Sequence, residues 1–120
     1  MHSGGIMFEV KIQIGYGQDA ERPLSEASDE WVWMRLYELR SGGLSSRLKF
    51  VYKREGCYLS LQTPRAKGST PVRELTGGDD VAVSIIKLWE KLDMESADFT
   101  AGAAVLFLRR FRKLYCSKAA

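Results

Sequence analysis

The chain has 120 residues, 45% hydrophobic and 28% charged, with a formal net charge of +3. That length makes one domain, able to bury roughly two thirds of its unfolded surface without disulfides or metal. Three Trp, five Tyr and five Phe argue for a packed core rather than disorder, and the longest apolar run, Ala103 to Leu108, or Ala101 to Leu108 with Gly102 counted, falls far short of the roughly 20 residues that a membrane span needs.

Met1 to Gly5 reads as a flexible leader, so the fold is expected to occupy residues 6–120. Ile6 to Ile14 is the clearest strand. Ile6, Phe8, Val10, Ile12 and Ile14 point one way; Met7, Glu9, Lys11 and Gln13 point the other. The same alternation lacks the unbroken apolar stretch of a secretory signal. Residues 18–30 are polar and contain Pro23, which predicts a loop holding a short helical turn near Leu24–Ala27.

From Trp31 to Leu39 two patterns compete. Ser28-Asp29-Glu30 before it and Gly42-Gly43 after it resemble a helix start and stop. Trp31, Val32, Trp33 and Tyr37 favour a half-buried pleated surface instead. The segment is read here as a strand, with Trp31, Trp33 and Tyr37 on one face and Val32, Met34 and Leu36 on the other.

Arg47 to Gln62 predicts a hairpin that turns at Glu55-Gly56. Arg54 then faces Cys57, Lys53 faces Tyr58, Tyr52 faces Leu59, Phe50 faces Leu61 and Lys49 faces Gln62. Leu48, Phe50, Tyr52, Leu59 and Leu61 share one face; Arg47, Lys49, Lys53, Tyr58, Ser60 and Gln62 share the other. A slip of one residue would mix these sets, so the pattern specifies the pairing. Thr63 to Gly78 is predicted to be a loop.

Asp79-Asp80 opens a helix, with carboxylates at the positive end of its dipole. Val81, Ile85, Leu88, Trp89 and Leu92 form its apolar stripe. A short connection, Asp93 to Ser96, leads to a second helix from Phe99 to Cys116, with Ser96 as its expected cap. Ala103, Phe107, Phe111, Leu114 and Tyr115 make its core face, with Arg109, Arg112 and Lys113 opposite and Val105 and Leu106 off the stripe. The expected fold is α+β: an antiparallel sheet of about four strands followed by a C-terminal helical hairpin packed on one face.

The charge is segregated along the chain. Residues 1–40 carry a net −3, 41–73 a net +6, 74–98 a net −5 and 99–120 a net +5. Basic blocks without local acids either attract anions or are neutralised by the acidic blocks once the chain folds. Arg47, Lys49, Lys53, Arg54 and Tyr58, with Arg65 and Lys67 in the following loop, suit a phosphate backbone and a stacked base. Arg109, Arg112 and Lys113 form a second basic group. Trp31, Trp33 and Tyr37, and Val105 and Leu106, are the apolar interface candidates.

Enzymatic chemistry has little support. His2, the one histidine, lies in the leader, and no nucleophile–base pair can be built with it. Cys116 lies near Arg112 and Lys113 but has no base, and no metal-ligand or phosphate-loop spacing is present. Two isolated thiols, Cys57 and Cys116, suggest a reducing, cytoplasmic setting. The expectation is a non-enzymatic interaction module, an inhibitor, adaptor or self-associating subunit, without cofactor, metal or membrane contact. Its partner would be another protein or a second copy of itself, as a homodimer. Binding of nucleic acid through the basic sheet face and C-terminal helix is the alternative.

Overall fold

A computed structural model gives the fold, and residues 8–15, 17–41 and 47–119 are described. The leader with His2, Ile6, Met7 and Gly42-Gly43 lie outside the described residues, as do the side chains of Phe8, Glu9, Leu39 and Cys116.

The alternation of β1 (Phe8–Ile14) buries Val10, Ile12 and Ile14 and leaves Lys11 exposed. β2 (Glu21–Pro23) pairs along one side of β1 and β3 (Leu48–Arg54) along the other. β4 (Cys57–Gln62) and β5 (Val72–Thr76) complete an antiparallel sheet of five strands in the order β2-β1-β3-β4-β5. The β3–β4 hairpin has the register expected from its two faces, from Lys49 opposite Gln62 to Arg54 opposite Cys57. Gly56 turns the hairpin with φ 76°, a conformation that side chains resist. A methyl group on Gly77 would run into the carbonyl oxygen of Gly56, so the end of β5 closes tightly over this turn.

Two strands differ from expectation. β5 lies within the segment predicted as loop. Its sequence, Val-Arg-Glu-Leu-Thr, is exposed at every position, so burial writes no alternation into it. β2 is only three residues long and ends on Pro23, as suits a blunted edge. The expected turn near Leu24 is present as a single 3₁₀ turn, Leu24–Glu26.

The segment read as a strand from Trp31 to Leu39 is a helix, α1 (Asp29–Ser41). Ser28 Oγ accepts the backbone N–H of Trp31 at 3.1 Å, and Asp29 and Glu30 occupy the first turn. These capping terms, with burial of only one side, outweigh the strand preference of the aromatic residues. The consequence is geometric. In a strand Trp31 and Trp33 would share a face, whereas in a helix two residues are about 200° apart. Trp31, Val32 and Leu36 are buried, while Trp33, Met34 and Tyr37 are exposed.

α2 (Asp80–Lys91) starts as expected, with Asp79 Oδ1 accepting from Ala82 N at 2.8 Å. Val81, Ile85, Leu88 and Trp89 are buried. It ends with Asp93 in the left-handed region, φ 56°, while Asp93 N and Met94 N donate to the Glu90 and Trp89 carbonyls. α3 (Ala101–Ala119) begins later than predicted: Thr100, not Ser96, caps it, its Oγ1 accepting Ala103 N at 3.1 Å. Ser96 Oγ instead accepts Asp98 N within the connection.

All three helices lie on one face of the sheet. α3 crosses β3, where the Phe50 ring meets Phe107 at 5.2 Å and Phe111 at 4.8 Å, both edge to face. Trp89 of α2 packs on the other side of Phe107 at 5.1 Å. α1 and α2 both contact α3. Enclosed this way, α3 buries a wider arc than a single stripe: Ala104, Val105, Phe107, Leu108 and Phe111, with Leu106 half-buried. The apolar run Ala101–Leu108 is therefore largely covered within the chain.

Candidate functional site

The folded chain places its candidate residues on three surfaces. The first is the outer side of α1. Trp33 is 49% exposed, Met34 49% and Tyr37 74%, with Tyr37 one helical turn beyond the adjacent Trp33 and Met34. The other side of α1 is held firmly. Arg35 donates through Nη2 and Nε to the Ile14 carbonyl at 3.0 and 3.3 Å, and Arg22 lies 5.1 Å from the centre of the Trp31 ring. Trp31, 5% exposed, and Val105, 4% exposed, belong to the core and are not presented outward. Met34, not among the interface candidates, joins the exposed group, because the helix carries it from the Val32 side to the Trp33 side.

The second surface is the sheet face away from the helices. Alternation and register bring Lys49 and Lys53 of β3, Tyr58 of β4 and Lys11 and Gln13 of β1 to this side. Lys11, Gln13, Glu21, Lys49, Val51, Lys53 and Tyr58 line a shallow, half-open hollow of about 210 Å³. Lys53 Nζ sits 5.9 Å from the Tyr58 ring centre. Among the described residues, neither Lys49 nor Lys53 forms an ion pair. Lys11 was absent from the basic candidates; its place opposite Val51 follows once β1 is paired with β3.

The third surface is the outer side of α3, and here the acidic blocks answer the basic ones. Arg109 Nε donates to Asp29 Oδ2 at 2.7 Å, and Arg112 Nη1 lies 3.4 Å from Asp29 Oδ1. Arg112 also donates to the Ala27 carbonyl and, at 3.5 Å, to that of Leu24. These two residues fasten α3 to the start of α1. Lys113 lines a shallow hollow with Leu88, Arg110 and Leu114. The sheet lies between this group and the lysine face, so the two basic blocks do not combine into one surface.

The remaining basic candidates are dispersed. Arg54 stands 3.7 Å from Asp79 Oδ2 at the hairpin end. Arg47 precedes β3 and is half-buried, its carbonyl accepting Gly15 N at 3.0 Å. Arg65 and Lys67 are exposed in the connection before β5. Tyr52 donates its hydroxyl to Asp79 Oδ2 at 3.0 Å. Burial above all, and the bond to Asp79, push that hydroxyl up to about 12, against the neighbouring Arg54, which pulls it down. Burial, and then the Asp79 charge, push the adjacent Cys57 thiol up as well, which keeps it protonated at neutral pH. Among the described residues no three His, Cys, Asp or Glu side chains gather to hold a metal, and no helix is long and apolar enough to cross a membrane. In comparisons with known proteins, no family model, no curated protein and no solved structure matches this chain.

Proposed function

We propose that this protein is a non-enzymatic interaction module that pairs with a second copy of itself through the outer side of α1. The observation that carries the reading is the exposure of Trp33, Met34 and Tyr37 together, above a helix whose opposite side is already packed. These three side chains offer roughly 300–400 Å² of mostly apolar surface, the size of patch that is often functional. That is nearly half of what one partner contributes to a standard interface, about 800 Å². Trp and Tyr are also the residues that most often anchor such contacts. The other exposed large apolar residues do not compete as a single surface: Val72 and Leu75 point to opposite faces of β5, and Val83 is on α2.

A two-fold axis is the simplest way for one apolar helix face to cover another. Glu30 and Glu38 are exposed at the margins, where solvent screens them. Tryptophan fluorescence tests this reading, since Trp31 and Trp89 are buried and Trp33 is the exposed indole. Acrylamide quenching is expected to be weak in concentrated protein and to rise on dilution, and the rise should vanish in Trp33→Phe. Strong quenching at every concentration would mean that Trp33 faces water without a partner.

A further inference from the structure

We infer that the outer face of the sheet is a binding site for single-stranded nucleic acid, centred on Lys11, Lys49, Lys53 and Tyr58. This goes beyond pairing through α1 and uses a surface on the other side of the molecule. Lys49 and Lys53 are four residues apart on β3, about 13 Å along the strand. Lys11 lies between them on the next strand, opposite Val51. Lys49 and Lys53 are thus spaced to meet two phosphates of one strand, with Lys11 flanking the path. The positive charge of Lys49 and Lys53 is not consumed by ion pairs among the described residues, in contrast to Arg54, Arg73, Arg109 and Arg112.

The hollow between these groups holds about 210 Å³, suited to a single base and too small and shallow for the wall of a duplex. Tyr58 is half-buried beside it and offers a ring for stacking, and stacking is the interaction that distinguishes single strands from other polyanions. Gln13 lines the same hollow; its Nε2 donates to the Gly15 carbonyl at 3.1 Å, and its amide oxygen can accept from a base edge. Among the described residues, Glu21 is the carboxylate that lines the hollow, on the β1–β2 side. It opposes phosphate there and turns the expected path toward β3 and β4.

The test is fluorescence anisotropy of the full chain with short mixed-sequence DNA and RNA strands carrying a fluorophore, titrated with salt. Binding at low salt is expected, with log K falling against log salt at a slope of about −1.4, as for two phosphates on a single strand. Lys49→Ala with Lys53→Ala should weaken binding at least tenfold and bring the slope close to zero. Tyr58→Leu should weaken it about fivefold or more, and Tyr58→Phe should leave it unchanged. Arg110→Ala with Lys113→Ala, on the helix side, should have no effect. Thermal melts confirm that each variant folds. Absence of binding to both strands at low salt would overturn the inference. So would loss of binding in the Arg110/Lys113 pair alone, or equal binding to duplex and heparin that is indifferent to Tyr58→Leu.

Discussion

At the scale of single residues, position is decided by conformation as much as by contact. Gly56 sits at φ 76°, where a branched side chain is strained. Gly56→Val is expected to destabilise the domain by about 1–3 kcal/mol. Urea melts check this, and a midpoint equal to wild type would mean that the turn is not at Glu55-Gly56. Tyr52 supplies a different kind of residue-level test. Its folded hydroxyl titrates near 12, above the ordinary value of 10.0. The unfolded chain therefore loses this proton first as pH rises, and ionisation draws the equilibrium toward unfolding. The contribution is complete below pH 10 and is lost between about 10 and 12, at no more than about 1.4 kcal/mol per pH unit. Stability measured across that window should fall less steeply in Tyr52→Phe than in wild type. Parallel curves would place the phenol in water.

At the scale of elements, what was legible follows from where burial is one-sided. The β3–β4 register could be read because one face is wholly apolar and the other polar, so a slip would be expensive. The stripe of α2 was equally plain, from Val81 to Trp89. α1 was misread because its apolar residues occupy both sides, which erases the helical period, and its caps are weak signals beside two Trp. β5 was missed for the opposite reason: an exposed edge strand has no pattern to impose. Of the sites, the sheet lysines could be read from alternation alone. The fate of Arg109 and Arg112 could not, because their partner Asp29 is about 80 residues away in sequence. That pairing makes a prediction. Arg112 holds two backbone carbonyls and a carboxylate, so Arg112→Ala should cost about 2 kcal/mol. Arg109 is largely exposed, and its removal should cost less than about 1 kcal/mol. Denaturant midpoints of the two variants test the order, and equal losses would mean that Arg112 does not bridge α3 to the 24–27 turn.

At the scale of the whole molecule, folding turns a segregated charge sequence into a sorted surface. Arg73 pairs with Glu90 and Glu95, Arg54 with Asp79, and Arg109 and Arg112 with Asp29, each basic block meeting an acidic one. Among the described residues, Lys49 and Lys53 of the outer sheet face stand apart from this exchange. The apolar surplus is sorted likewise: the α3 run is enclosed by α1, α2 and the sheet, leaving Trp33, Met34 and Tyr37 outside. The two surfaces point away from each other across the helix layer, so pairing through α1 would leave both sheet faces open.

The proposal that this chain pairs with itself through α1 is tested most directly by its mass in solution. Light scattering on the full chain at micromolar concentration should give twice the 13.5 kDa chain mass. Trp33→Glu should give the single-chain mass and still melt cooperatively, because Trp33 takes no part in the core, at a temperature below the wild type's by the stabilisation that pairing adds. A wild-type protein that stays at 13.5 kDa at the highest concentration it tolerates would contradict self-pairing.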